Sequence, residues 1–140
     1  MAEPTADELR RIYEETRTIA VVGASNDVEK PGHYIPAYLK GQGYRIVPVN
    51  PRGGEILGER AFTSLAEVDV PVDVVEVFRP AEEAPRIARD AVAKGAKVLW
   101  LQEGIVSEEA ARIAGEGGLS VVMDRCMGVM HRELGLGPGP

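Results

Sequence analysis

Thr18-Ile-Ala-Val-Val-Gly-Ala-Ser25 decides the fold. Ile19 to Val22 run apolar and mostly β-branched without alternation, the pattern of a strand buried on both faces, and Gly23-Ala24-Ser25 then break it with small side chains. In nucleotide-binding α/β domains such a break lets backbone N–H groups reach phosphate oxygens that a larger side chain would hold off. The helix that follows adds the positive end of its dipole. Taken alone the stretch is equally a ligand loop or a tight turn. The full dinucleotide fingerprint is Gly-x-Gly-x-x-Gly, and here no glycine follows Gly23 until Gly32.

Upstream, Thr5-Ala-Asp-Glu8 reads as a capping box, and Leu9, Ile12 and Tyr13 form the apolar face of a helix over about Thr5 to Thr16. Downstream, Ser25 to Gly32 is a polar loop. Tyr34, Ile35, Tyr38 and Leu39 recur at helical spacing, Gly41 and Gly43 stop that helix, and Tyr44 to Val49 returns as a strand. A short helical turn is expected around Ser64 to Val68. Val72 to Phe78 forms a third strand, Glu82 to Lys94 a helix, and Lys97 to Leu101 a fourth strand. A helix opened by Ser107 and closed by Gly117-Gly118 precedes a fifth strand, Leu119 to Met123. Strands alternating with helices at this spacing imply right-handed crossovers. The expected fold is a Rossmann-like, doubly wound α/β domain with about five parallel strands and helices on both faces.

The bulk composition narrows the function. At 140 residues the chain suits one domain, residues 1–140, with no linker or internal repeat. A net charge of −6 with no Lys/Arg-rich block argues against nucleic acid and anionic membrane surfaces as partners. One cysteine, Cys126, excludes an internal disulfide and suits a reducing compartment. With a polar, acidic start and no run of roughly 18 apolar residues, the expected location is cytoplasmic, without a membrane span.

In open parallel sheets ligands sit beyond the carboxyl ends of the strands. Those ends here are Gly23-Ala24-Ser25-Asn26, Asn50-Pro51-Arg52, Phe78-Arg79-Pro80, Gln102-Glu103-Gly104 and Asp124-Arg125-Cys126. NAD-binding domains place an acid about 20 residues beyond the glycine loop to accept from the ribose. This chain has Asn50 followed by Arg52 there, which fits a phosphorylated ribose, as in NADP or coenzyme A, unless Asn50-Pro51 is only a turn.

Five blocks in order carry a resemblance: Val21-Val-Gly-Ala-Ser25 with Lys30-Pro-Gly32, Gly43-Tyr-Arg-Ile-Val-Pro-Val-Asn-Pro51, Asp73-Val-Val-Glu-Val-Phe-Arg79, Trp100-Leu-Gln-Glu-Gly-Ile105 and Val121-Val-Met-Asp-Arg-Cys126. Together they resemble the small stand-alone CoA-binding proteins, which are similar to the N-terminal domain of the succinyl-CoA synthetase α subunit. The resemblance implies that Gly23, Ala24, Ser25 and Asn26 line the CoA phosphates with Lys30 nearby, and that Asn50, Pro51 and Arg52 sit at the adenosine end. Phe78, Arg79 and Pro80 resemble the segment bordering the nucleotide, and Gln102, Glu103 and Gly104 a Thr-Glu-Gly stretch. Glu103 differs from the neutral residue of relatives and is expected to face solvent; Met130 stands before His131 where many relatives carry an acid.

The phosphohistidine of the synthetase lies in a second domain with no counterpart here. The implied role is therefore to bind CoA or an acyl-CoA without catalysis. A second copy of the chain or an acyl-transfer protein are the candidate partners. The alternatives are the NAD(P)-binding domain of an oxidoreductase and a nucleotide-free interaction scaffold.

His33 and His131, the only histidines, are far apart in sequence, so no local metal cluster or His-based dyad is encoded. Cys126 is either a reactive thiol beside Arg125 or, the favoured reading, a small residue packed below the site. Trp100 is expected in the core. Arg79 is a ligand contact or the partner of Glu76 or Glu103.

Overall fold

The computed structural model describes residues 3–138. Its strands are β1 (Thr18–Val22), β2 (Arg45–Val49), β3 (Glu55–Ile56), β4 (Glu59–Arg60), β5 (Val74–Val77), β6 (Val98–Leu101) and β7 (Ser120–Val122), and its α-helices are α1 (Ala6–Glu15), α2 (Pro31–Gly41), α3 (Ala84–Lys94), α4 (Glu108–Glu116) and α5 (Met127–Glu133). Five strands pair in parallel in the order β2-β1-β5-β6-β7, with Ala20 opposite Val47 on one side and Val75 on the other. This is the doubly wound α/β arrangement expected. Strand order reverses between β1 and β5, so the crevice for a ligand opens there.

Period-2 alternation along the strands sorts side chains into two layers. Ala20, Val75, Val77 and Leu99 pack against Ile87, Ala88, Ala91, Ala110 and Ala114 of α3 and α4. Ile19, Val21, Val74 and Trp100 pack against Leu9 and Tyr13 of α1, Ile35 and Leu39 of α2, and Met127 of α5. The alanine-rich faces let α3 and α4 lie close to the sheet. Trp100 is fully buried, with Nε1 donating to the Arg125 carbonyl at 2.8 Å.

The capping box forms: Glu8 N–H donates to Thr5 Oγ1 at 3.1 Å, and Thr5 N–H to Glu8 Oε1 at 3.2 Å. Two local expectations change: Val72 to Phe78 shortens to Val74–Val77, and the start of the Glu82 helix is a 3-10 turn over Ala81–Glu83. The short helical turn expected around Ser64 to Val68 forms as a 3-10 turn over Leu65–Glu67. The stretch after Asn50 holds the β3–β4 hairpin, turned by Leu57 and Gly58 in the left-handed region. Helix α5 went unrecognised in the sequence. Its N-cap, Cys126, makes no side-chain cap, and Gln102 Oε1 instead accepts from Met127 N–H at 3.0 Å, so its cap comes from a residue 25 positions away.

One strand residue violates the apolar pattern. Glu76 sits between Val21 and Trp100 in the sheet, is fully buried, and finds no hydrogen-bond partner for either carboxylate oxygen among the described residues. Burial pushes its carboxyl from an ordinary 4.5 up to about 8, so at pH 7 it is the neutral acid. Burial and the neighbouring Glu76 also push the Tyr13 phenol well up. The folded chain holds a proton on Glu76 that the unfolded chain has lost between pH 4.5 and 8. Stability from this group is therefore full below pH 4.5 and falls as pH rises through that window. Urea midpoints of the wild-type chain should decline from pH 6.5 to pH 8, above the range in which the buried, neutral His131 opposes the trend, and Glu76→Gln should flatten the decline; an equal slope in both proteins would exclude Glu76 as its source.

Candidate functional site

The loop after β1 is built on a backbone contact. Gly23 has φ +94°, its N–H donates to the Val49 carbonyl at 3.1 Å, and a Cβ there would lie 2.8 Å from the Phe78 carbonyl oxygen. A Cβ on Gly32 would come within 2.6 Å of the Gly23 carbonyl oxygen. Both positions admit only glycine without displacement of main chain. Gly32 thus does for close helix–strand packing what the last glycine of the dinucleotide fingerprint does, displaced by a longer loop.

Pro36 completes the arrangement. Proline has no N–H to give to the carbonyl four residues earlier. That carbonyl belongs to Gly32, and it accepts instead from Ser25 N–H at 3.2 Å. The ring Nδ1 of His33 shares a 2.8 Å hydrogen bond with the Ser25 carbonyl, and Ser25 Oγ accepts from Asp27 N–H at 3.0 Å. Ser25 is held at three points. Its N–H is consumed, whereas the N–H groups of Ala24 and Gly32 meet no acceptor among the described residues.

These elements wall a cleft of about 610 Å³ along the carboxyl ends of the strands. At ~4.8 Å per strand, five strand ends span ~19 Å. Of the residues expected at the site, Gly23, Ala24, Ser25 and Lys30 line the cleft beside α2, Asn50 and Pro51 line its β2 end, and Phe78, Arg79, Gln102 and Glu103 line its middle. Asn26, Arg52, Pro80 and Gly104 lie outside it. Asn26 Nδ2 donates to the Glu55 carbonyl at 3.0 Å, and Gly104 N–H donates to Asp124 Oδ1 at 2.7 Å. Arg52 and Pro80 are exposed.

Asn50 acts as a joint. Its Nδ2 donates to the Ala24 carbonyl at 2.8 Å and its Oδ1 accepts from Arg52 N–H at 2.9 Å, so a turn and an inter-loop tie share one side chain. Arg79 pairs with neither Glu76 nor Glu103. Its guanidinium grips Glu83 in a fork, Nη2 to Oε2 at 2.7 Å and Nε to Oε1 at 3.1 Å, which follows from the one-turn spacing across the 3-10 segment. The hydrogen bond to Glu83 raises the Arg79 pKa and lowers that of Glu83. The pair is a third to a half exposed, where such bridges contribute ~0–1 kcal/mol.

The far wall comes from α5 and the outer face of α2, which the sequence reading did not assign to the site. Tyr34, Ile35 and Tyr38 of α2, Gly128, Val129 and Arg132 of α5, and Ile105 and Cys126 complete the lining. Periodicity marked the α2 residues as an apolar face, but nothing local showed that part of that face stays open. A Cβ on Gly128 would lie 3.3 Å from Ile35 and 3.4 Å from Tyr38, so glycine sets the distance between the helices. Tyr38 Oη and His131 Nδ1 share a 2.9 Å hydrogen bond that locks α2 to α5. Burial lowers the His131 pKa and keeps the ring neutral. Cys126, only 9% exposed, forms part of the floor.

The lining carries Lys30, Arg79 and Arg132 against one carboxylate, Glu103, in a chain whose net charge is −6. The cleft therefore collects positive charge on an acidic protein. Among the described residues no group of three or more His, Cys, Asp or Glu is placed to hold a metal ion, and no helix is long and apolar enough to cross a membrane.

Comparison with known proteins matches residues 17–132 to the family described as CoA binding domain. The uncharacterized protein YneT of Bacillus subtilis is 40% identical over 131 residues, covering 94% of this chain and 97% of its own. A solved structure from Thermus thermophilus, cell-free ID.343, is 42% identical with a TM-score of 0.89, over 94% of this chain and 99% of that one. The α subunit of acetate–CoA ligase (ADP-forming) II from Pyrococcus furiosus is 31% identical over 86% of this chain, which spans 29% of that subunit.

The Gly32 contact makes a direct prediction. Gly32→Ala should cost roughly 1–3 kcal/mol in chemical denaturation, because main chain must move. Gly41→Ala, whose Cβ meets nothing within 4 Å, should change stability by less than ~1 kcal/mol. Equal effects of the two substitutions would show that the helix–loop contact is not tight.

Proposed function

The chain belongs to the CoA binding domain family, and we propose that it binds coenzyme A or an acyl-CoA in the cleft across its strand ends, as one binding domain without catalysis of its own. The observation that carries this reading is the position of the glycine-built loop and of the cationic side chains Lys30 and Arg79 at the β1/β5 reversal. There Ala24 and Gly32, whose N–H groups have no acceptor among the described residues, line the cleft at the start of α2, and Lys30 and Arg79 supply charge for a diphosphate. On phosphate binding Arg79 exchanges or shares its Glu83 fork. Asn50 and Pro51 then border the adenosine, while Arg52 and Asn26, which lie outside the lining, have no direct role in the diphosphate site.

An NAD-type reading lacks its carboxylate at the end of β2, where Asn50 has both its amide groups engaged by the protein. The acid that would accept from a ribose diol is absent from that position. The cytoplasm, where CoA is abundant and Cys126 stays reduced, is the compartment this reading requires.

CoA at ~100 times its Kd should stabilise the protein by about 2.7 kcal/mol, read as a rise in Tm, with no rise from NAD or NADP. Arg79→Ala should weaken CoA binding at least about tenfold, the loss of a charge-assisted hydrogen bond. A Tm unmoved by CoA would overturn the binding reading.

A further inference from the structure

The two edges of the parallel sheet differ. At the β2 edge the chain covers itself: Phe62 N–H donates to the Pro48 carbonyl at 3.0 Å, Asn50 N–H donates to the Phe62 carbonyl at 2.9 Å, and Pro48 has no N–H to offer. At the β7 edge no segment among the described residues does so. Ser120 N–H donates to the Lys97 carbonyl at 3.0 Å, and the register sets Ser120, Val121 and Val122 against Val98, Leu99 and Trp100. Backbone direction alternates along a strand, so Ser120 and Val122 bond to β6. The N–H and C=O groups of Val121 and Met123 point out of the sheet and meet no partner among the described residues. Leu119 to Met123 carry no charge and no proline, the usual guards of such an edge.

An exposed edge takes an extended segment, and the pattern here fits a second copy of the same strand. With a two-fold axis at Val122, antiparallel pairing sets Val121 opposite Met123 of the partner copy, and the two residues exchange both N–H and C=O groups. Every outward backbone group of Val121 and Met123 is then satisfied on both copies. A two-fold at Val121 would instead set Met123 against Leu119, whose N–H is already given to the Ala114 carbonyl at 2.9 Å, and would leave the Met123 carbonyl unpaired. The side chains agree with the first register. Val121 and Met123 are half-buried against the α3 and α4 layer, so across the axis each covers apolar surface that the other leaves in water. Asp124 of one copy falls opposite Ser120 of the other, so no like charges oppose there. The groove beside this edge, about 380 Å³, is lined by the acids Glu8, Glu15 and Asp73 and the bases Arg11 and Lys97. A surface of both signs complements a copy of itself, whereas a strongly charged peptide would be repelled by half of it. With the β2 edge covered, a head-to-tail stack from β7 to β2 is closed off, and the two-fold arrangement remains.

We propose that the β7 edge is a homodimer interface, in which two copies pair antiparallel through Val121 and Met123 to form one continuous sheet. The contact is short, which puts it at the small end of specific interfaces and its dissociation constant roughly in the micromolar range. A net charge of −6 on each copy opposes association, so added salt should strengthen the dimer. None of Leu119 to Met123 lines the cleft, and the interface stands or falls separately from the CoA-binding reading.

The test combines analytical sedimentation with amide hydrogen exchange read by NMR on the wild-type protein. Sedimentation should show a monomer–dimer equilibrium that shifts toward dimer with concentration and with salt. Between about 50 μM and about 1 mM protein, exchange at the Val121 and Met123 amides should slow about threefold, while the Ser120 and Val122 amides, bonded to β6, change little. Val121→Pro deletes an outward donor and leaves the bonds to β6 intact, and it should weaken the dimer at least about tenfold. A monomer at every concentration would overturn the proposal and leave the edge to an extended segment of another protein. A dimer whose Val121 and Met123 amides stay fast, or one unchanged by Val121→Pro, would put the interface elsewhere and overturn it too. Protection of both amides at every concentration would show the edge covered within one chain. The exchange readout needs only the wild-type protein, so it decides the matter even if Val121→Pro fails to fold.

Discussion

The contact of Gly32 with the carbonyl of Gly23 is the constraint on which the rest of the site depends. A 2.6 Å approach of a virtual Cβ to a backbone oxygen leaves no room for any side chain, so the first turn of α2 is pressed directly on the end of β1. Everything along the cleft is referred to that point. Gly23 in turn hangs from Val49 and abuts Phe78, so three neighbouring strand ends meet in main-chain contact. Pro36, which in most helices would be a defect, releases the Gly32 carbonyl to hold Ser25. A loop of eight residues is thereby fixed by backbone groups, leaving its cationic side chain, Lys30, on the cleft.

The opposite wall depends on tertiary polar ties in place of local signals. Gln102, at the end of β6, caps α5 through Met127 N–H, and Tyr13 Oη donates to the Met127 carbonyl at 2.6 Å. Asp124, in the left-handed region at φ 60°, accepts from Gly104 and joins the β6 and β7 loops. Four aromatic side chains surround His131 or its neighbours: Tyr13, Tyr38 and Tyr44 pack edge-on against its ring at 5.4 to 5.9 Å, and Trp100 packs against Tyr13 at 5.6 Å. This dense cluster, with the neutral Glu76 beneath it, supports a short helix that would have no stability alone.

Polar residues buried in this layer carry a cost that the surrounding apolar contacts offset. Glu76 holds a proton at neutral pH because no partner stabilises its charge, and His131 stays neutral for the same reason, with Nε2 unpartnered among the described residues. The cleft therefore rests on a floor that is neutral despite two titratable groups. Positive charge at the rim acts on a ligand without a countercharge below it.

The sequence by itself determined the five strands of the parallel sheet and the helices α1 to α4. Runs such as Ile19 to Val22 and Val74 to Val77 are buried on both faces of a parallel sheet and have only one way to be satisfied, and Thr5 to Glu8 close a helix end with their own side chains. It also determined that the strand-end segments at Gly23, Asn50, Phe78 and Gln102 would gather, because a parallel sheet puts all carboxyl ends on one edge. Tertiary structure alone decided which residues of those segments face the cleft. Asn26, Arg52, Pro80 and Gly104 turn away because their backbone or side-chain groups are used in loop-to-loop hydrogen bonds or point to solvent. Gly32, Tyr34, Gly128, Val129 and Arg132 enter because α2 and α5 approach within glycine distance. Helix α5 was invisible locally, since its cap is a glutamine 25 residues away and its seven residues are too few for periodicity to emerge. Short-range chemistry writes strands and caps into the sequence, whereas a wall made by two helices meeting exists only once the chain has folded.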